Sequence, residues 1–319
     1  MSTKTDKIDR LAELAAEQAT DAGGGAGLWR EALGRLRHSP MAVIGAIIIV
    51  LFVVMAVLGP IIAPYSPTEL TWGDEVSPAR SIFVGPRAEN LLGLDHLGRD
   101  ELSRLLIGAR QSLLVGVVAT GIGFIVGALI GGASGAALSL GGAWGRRIDT
   151  VIMRVIDMML ALPSLLLALS VAAVLGQSLT TVMIAVGTVQ IPIFARLLRG
   201  SMLAQSHSDY VLASRALGVK RFSIVMSHIL PNSMGPVIVQ ATLSLATAII
   251  EAASLSYLGL GNPDMSAPEW GVMLAQAQYF FGAAMQLAIY PAVAIIITAL
   301  GFTLLGEAMR ESLDPKLRK

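Results

Sequence analysis

Few side chains in this 319-residue sequence could do chemistry, and their spacing excludes most kinds of it. The four histidines, His38, His96, His207 and His228, stand far apart, with no pair at the i, i+4 spacing that puts two imidazoles on one helix face for a metal. Cysteine is absent, which removes thiolate sites and disulfides together. No G-x-x-x-x-G-K-[ST] loop occurs, nor any Gly-Lys pair, so the chain has no such cradle for nucleotide phosphates. No histidine falls in an apolar run where it could serve a nucleophile as base. No catalytic residue and no metal ligand is assigned.

The remaining candidates are polar groups set in apolar surroundings. Hydrophobic residues make up 54% of the chain and charged ones 14%, and the mean hydropathy is +0.70, which places it among polytopic membrane proteins rather than soluble domains. A net charge of +1 offers no basic field for nucleic acid. A bilayer core about 30 Å thick calls for about 20 apolar residues in helix. Six stretches fit: 41–63, about 112–138, about 151–175, about 179–198, about 235–257 and about 287–307. Gln190 and Pro192 interrupt the fourth, and Glu251 lies inside the fifth. An isolated acid at that depth is costly, so it marks either a path for a polar solute or a protonated or paired interface group. Gln190 and Pro192 fit a carbonyl-lined cavity as well as a kinked packing contact.

Cytoplasmic loops hold the excess of Lys and Arg. With both termini inside, 18 of the 23 basic residues are cytoplasmic and five (Arg80, Arg87, Arg99, Arg104, Arg110) are outside. The expected organisation is a cytoplasmic tail with an interfacial helix over 1–40 and a first span over 41–63. An outer segment over 64–111 follows, then a five-helix core over 112–308 containing a polar loop at 199–234, and a tail over 309–319. In 28–40, Leu28, Trp29, Leu33 and Leu36 fall near one side of a helix and Arg30, Arg35 and Arg37 elsewhere, a pattern suited to lying on anionic lipid. The N-terminal tail lacks the apolar core of a signal peptide. Gly123, Gly127, Gly131 and Gly135 recur every fourth residue in the second span, forming a stripe where a second helix can approach to backbone distance. Arg154 and Asp157, one turn apart at the start of the third, are placed to neutralise each other.

The loop at 199–234 breaks the apolar pattern with SDYVLASRALGVKRFSIVMSHILPN. Ser208 or Asp209 can cap a helix over YVLASRAL, Gly218 suits a left-handed helix end, and a second helix over KRFSIVMSHIL is expected to stop at Pro231. The expected stripes are Val211 with Ser214, Arg215 and Leu217 nearby on the first, and Phe222, Val225 and Ile229 on the second. These helices are too short to span, so the stripes must be covered by the bundle's own end or by a partner. Arg215, Lys220 and Arg221 at the elbow favour an aqueous docking surface.

This stretch resembles the cytoplasmic loop of ABC importer permeases, whose pattern is Glu-Ala-Ala, three residues, Gly, nine residues, an apolar residue, one more, then Leu-Pro. Ala213, Gly218 and Leu230–Pro231 fill their places, while Leu212 and Ser214 replace the glutamate and the second alanine. YVLASRALG and HILPN are close to the form usual in the peptide-importer branch, where those two departures are tolerated. IAPYSPTE at 62–69, NLLGLDHLGRDELSRLLIGARQSLLVG at 90–116, SYLGLGNPDMSAPEWGVML at 256–274 and the terminal LDPKLRK extend the likeness from about residue 38 to 319. On these motifs the chain is identified as a member of the dipeptide, oligopeptide and nickel importer permeases, of the C-type subunit.

The resemblance implies an all-α type I importer permease with six transmembrane helices in a bacterial inner membrane. It implies a second, homologous permease subunit as heterodimer partner, two ATP-binding subunits that hold ATP and Mg, an extracytoplasmic solute-binding protein, surrounding lipid and no nucleic acid. Tyr210, Ala213, Ser214, Arg215, Ala216, Gly218, His228, Leu230 and Pro231 become the residues that couple the chain to the ATPase. Apart from the resemblance, Gly123, Gly127, Gly131 and Gly135 stay packing residues on their spacing, and Glu251 and Gln190 stay candidates for the translocation path on their place within apolar spans. Peptides are the expected cargo, with nickel complexes, glutathione or opines as alternatives on the same architecture. An ATP-independent secondary transporter is the rival class, and the two-halved repeat that class shows is not found in this sequence.

Overall fold

A computed structural model describes residues 33–264 and 266–313. The tail over 1–32 and the terminal residues 314–319 lie outside the described residues, as does the start (28–32) of the proposed interfacial helix, of which 33–38 is helical. Helix α1 (Pro40–Ile62) begins where the Ser39 hydroxyl accepts from the Ala42 amide and Pro40 takes the first turn, where no N–H is needed.

Helix α2 (Glu101–Leu140) has 40 residues, about 60 Å at 1.5 Å each, roughly twice the hydrocarbon thickness. It starts at Glu101 rather than near 112, because ELSRLLIGAR is a good helix former whose charges hide it from an apolar ruler. Asp100 caps it, accepting from the Ser103 amide at 2.8 Å and the Ser103 hydroxyl at 2.7 Å. The expected third span is broken. Helices α3 (Gly142–Leu160) and α4 (Ser164–Leu175) meet at 95°, since Pro163 disfavours helical backbone at Leu162. Helix α5 (Leu179–Gln205) follows, capped by Ser178, then the short α6 (Asp209–Ala216).

Helix α7 (Arg221–Tyr257) corrects a second expectation. Pro231 does not end it. A π-helical turn at Val225–Ile229 precedes the proline, and the wider turn makes room for its ring. The Asn232 amide donates to the His228 carbonyl at 2.8 Å and the Ser233 hydroxyl to that of Ile229 at 2.7 Å, so the loosened backbone stays hydrogen-bonded. The Pro231 and Pro236 kinks lie within one continuous helix. A short buried helix α8 (Trp270–Ala277) and the last span α9 (Gln286–Leu313) complete the bundle.

The α2–α5 seam is the most extensive helix contact, and the four glycines lie along it. A Cβ added at Gly123 would stand 2.5 Å from the Gln190 Cβ, at Gly127 2.6 Å from the Ile191 carbonyl oxygen, and at Gly135 2.8 Å from the Met202 sulfur. At Gly131 it would overlap the Ala195 carbonyl. On the other side of α2, α1 and α9 pack antiparallel, with Gly45 against Gly301 and Leu305. The ends of α1 and α9 near Pro40 and Leu313 therefore share one end of the bundle with α6.

The opposite end is capped by residues 64–100 and 258–285. Arg99 and Arg104 are almost wholly buried there. Asp95 bridges them, receiving Arg99 Nε at 2.6 Å and standing 3.5 Å from Arg104 Nε. Arg104 also donates to the Pro67 and Ser266 carbonyls, both at 3.1 Å, and to Gln276 Oε1 at 3.2 Å. The outer segment is thus stitched to its own bundle. Trp270 completes the cap, its ring edge-on to Phe52 and its Nε1 donating to the Leu105 carbonyl at 3.1 Å. At the start of α8, burial lifts the Glu269 carboxyl from the ordinary 4.5 to about 6, opposed by Ser256 and the Gly271 and Val272 amides.

Two outcomes follow from these contacts. Gly131→Leu will separate α2 from α5 and abolish a monodisperse peak in detergent size-exclusion chromatography, whereas Gly121→Leu, with open space at its Cβ, will not. Because the folded state raises the Glu269 value, its proton stabilises the fold fully below about 4.5, and that contribution is lost as pH rises through about 6. Glu269→Gln will therefore match the wild type in thermal unfolding at pH 4 and exceed it above pH 6.5, by about 2 kcal/mol.

Candidate functional site

The surface with unspent chemistry is at the end of the bundle that carries α6. Helix α6 begins at Asp209, yet neither Ser208 nor Asp209 caps it through its side chain: the Ser208 hydroxyl donates back to the Gln205 carbonyl at 2.7 Å. The helix is held down by Val211, fully buried against Met202, Ile224 and Ile229. The Tyr210 hydroxyl donates to Gln205 Oε1 at 2.8 Å, and Ser214 to the Tyr210 carbonyl at 2.8 Å.

Helix α6 ends in a paired C-terminal motif. The Val219 amide reaches the Ser214 carbonyl at 3.1 Å and the Gly218 amide that of Arg215 at 3.0 Å, which requires a left-handed residue between them. Gly218 supplies it at φ +78°, and nothing stands within 4 Å of the Cβ it lacks. Backbone conformation, not crowding, demands glycine here.

The elbow divides the apolar residues in two. Val211, Ile224, Val225 and Ile229 turn inward onto α5 and α7. Leu217, 84% exposed, and Phe222, 65% exposed, turn outward with Leu212, Val219 and Met226. The expected stripes pair Leu217 with Val211 and Phe222 with Val225 and Ile229, and the structure separates them. Six residues carry Leu217 about a third of a turn off the line of Val211, and the π turn at Val225–Ile229 shifts Ile229 out of phase with Phe222. Ala213, Arg215, Ala216 and Lys220 are exposed on the same surface. Arg221 is spent internally, donating to the Leu140 carbonyl at 2.9 Å and so satisfying the C-terminal end of α2. His228 is half-buried in the π turn, its Nδ1 buried without a hydrogen-bond partner. Leu230 is half-buried beside it, and Pro231 is exposed on the flank of α7.

Ion pairs fix this end to the rest. Asp149 on α3 accepts from Arg199 of α5 at 3.0 and 2.8 Å and from the Ser134 hydroxyl of α2 at 2.6 Å. Asp157 pairs with Arg196 of α5 rather than with Arg154. The tertiary contact displaces the local pair because the broken span brings α3 alongside α5. Sequence spacing held no signal for Asp149–Arg199, whose members lie 50 residues apart.

The two path candidates separate. Gln190 is buried at the α2–α5–α7 junction and donates to the Ser244 carbonyl at 3.2 Å. Glu251 is half-buried on α7, next to Ile250 and one turn from Ser254, which line a cavity with Leu165 of α4. Among the described residues no three side chains of metal-ligating type gather.

Comparisons with known proteins agree on what such a chain is. A family model described as the binding-protein-dependent transport system inner membrane component matches residues 133–319, and one for the N-terminal TM domain of oligopeptide transport permease C matches 27–81. The chain is 40% identical to the dipeptide transport system permease protein DppC of Alkalihalophilus pseudofirmus, over 91% of this chain and 90% of that one. It is 40% identical to the probable D,D-dipeptide transport system permease protein DdpC of Escherichia coli (88% and 89%) and 39% identical to the Escherichia coli glutathione transport system permease protein GsiD (91% of each). Inward-facing structures of the MetNI methionine ABC transporter share the fold, with a TM-score of 0.54 at 19% identity over 66% of this chain and 96% of theirs.

The division at the elbow makes a testable difference in stability. Ile224→Asp places a charge in the packed end and will unfold or deplete the protein in membranes, whereas Phe222→Asp will leave its membrane abundance and detergent melting within error of the wild type.

Proposed function

Since this chain belongs to the C-type permease subunits of the dipeptide, oligopeptide and nickel ABC importers, we propose that it carries short peptides across the bacterial inner membrane, driven by ATP that partner subunits hydrolyse. It is a transport subunit without an active site of its own. The observation that carries the reading is the exposed apolar and basic surface around Gly218, held rigidly to α2, α5 and α7 from beneath.

In this reading α6 and the elbow lie in the cytoplasm, with both chain termini, and fit a groove on an ATP-binding subunit. Leu217 and Phe222 supply buried contact, Ala213 and Ala216 allow close approach, and Arg215 gives a polar anchor. Tyr210 and Ser214 hold the helix in shape. His228, Leu230 and Pro231 form the stiff return into α7. Closure of two ATPase subunits on ATP moves the docked elbows together and turns the path outward, and hydrolysis returns it. Such alternating access requires the ATPases to bind the two permease states with different affinity. A homologous second permease subunit completes the path, and an extracytoplasmic solute-binding protein delivers the cargo. Short peptides are favoured because the relatives named above are transporters of dipeptides, D,D-dipeptides and glutathione, all of which carry a free amine and carboxylates.

The test is uptake of a labelled dipeptide into proteoliposomes holding the complete complex, with and without ATP. ATP-dependent accumulation supports the proposal; equal uptake without ATP, driven by an ion gradient, overturns it. In the same vesicles Gly218→Val will insert normally and leave ATP hydrolysis in place while uptake falls at least tenfold. Coupled uptake at the wild-type rate would remove the elbow from the mechanism.

A further inference from the structure

Four polar side chains of α7 fall on one line. Gln240, Thr247, Glu251 and Ser254 are spaced i, i+7, i+11 and i+14, which keeps them within one stripe of a helix, and each is exposed or half-exposed in this chain. The exposed faces of α1 and α9 differ. Helix α1 shows Val43, Ile47, Val50 and Val54, and α9 shows Ile289, Val293, Ile296 and Leu300. Those faces suit acyl chains. A face bearing a carboxylate does not, since a charge facing hydrocarbon costs several kcal/mol.

A second observation meets the stripe at one point. The break between α3 and α4 leaves residues 161–163 without helical structure partway through a span, and they are exposed. Pro163 gives the first turn of α4 no side-chain cap. Irregular backbone at this depth persists only where protein covers it or water reaches it. Leu165, in the first turn after the break, lines one cavity with Ile250 and Ser254 of α7. Thr247 and Ser254 spend their protons on their own helix, at the Ser244 and Ile250 carbonyls, so what they present outward is oxygen. The stripe therefore offers acceptors and one carboxylate, which among the described residues has no ion-pair partner.

We infer that this stripe and the α3–α4 break border the aqueous path of the assembled importer, and that Glu251 receives a protonated amine there, the free amino terminus of a short peptide in transit. The inference rests on the importer reading and adds to it a wall and a contact for the cargo. The carboxylate would pair with the ammonium group as the cargo passes and part from it on release, with no covalent step.

The chain's lack of cysteine allows a direct test in the complete complex, with modification read on this chain by mass spectrometry. Thr247→Cys and Ser254→Cys will react with small water-soluble methanethiosulfonates in the resting or the vanadate-trapped state, and Ile47→Cys and Val50→Cys on α1 will not. At Ser254→Cys the cationic reagent will outpace the anionic one at least tenfold more in the parent than in the Glu251→Gln background, an effect that a packing role for Glu251 would not produce. Glu251→Gln will raise the half-saturating dipeptide concentration for uptake at least fivefold, and Glu251→Asp will restore most of it. Stripe cysteines that stay unreactive in both states of a transporting complex would overturn the path, and an unchanged charge preference would overturn the role of Glu251. If the wild-type complex moves no peptide, the assignment of cargo fails, while the labelling arms still decide whether the stripe faces water.

Discussion

In a bilayer an apolar side chain is solvated as well by lipid as by protein, so helices do not stay together merely by hiding leucine. What holds α2 to α5 is the approach of backbone to backbone along Gly123, Gly127, Gly131 and Gly135, where dispersion and close polar contacts accumulate over four turns. Everything functional hangs from that seam. Its lower end, at Gly135 and Met202, leads into the packed residues under α6. Its middle, at Gly123 and Gln190, brings α7 into the junction through the Ser244 carbonyl.

The two ends of the bundle handle charge in opposite ways. At the end away from α6, Asp95, Arg99, Arg104 and Gln276 are buried with their hydrogen bonds made among themselves and to loop carbonyls. Losing one partner of such a desolvated set costs about 3–5 kcal/mol, so the outer loops, α2 and α8 behave as one piece. At the α6 end, Asp149–Arg199 and Arg221–Leu140 tie helix to helix, while Arg215 and Lys220 are left in solvent with Leu217 and Phe222. That end is rigid in its attachments and unsatisfied on its surface, as a handle for a neighbouring protein must be.

Much of this is legible in the sequence, for identifiable reasons. Apolar length finds α1, α5 and α9, because those spans are uninterrupted or nearly so. The four-residue glycine repeat finds the seam, since close approach leaves a compositional trace. Gly218 is legible because a left-handed helix end narrows the choice of residue. The signal fails where geometry depends on a neighbour. Pro231 reads as a stop because the π turn that accommodates it has no composition of its own. Arg154 and Asp157 read as a pair until α5 is placed beside them and Arg196 takes the acid. The single third span reads as straight because LALPSLLLAL is apolar on both sides of its break.

The misreadings also bear on mechanism. A straight third span and a stop at Pro231 would give six separate rods, with the elbow hung on flexible joints. Instead α7 runs unbroken from Arg221, at the elbow, to Tyr257 near the outer cap, while the third span is the one that yields, at residues 161–163. In the proposed mechanism a displacement applied at the elbow would pass along the whole of α7 towards Glu251, and the break at residues 161–163 adjoins the same stretch, Leu165 lining one cavity with Ile250 and Ser254. Continuity in one helix and discontinuity in its neighbour would together place relative movement at the polar stripe rather than at the surface where the force is applied.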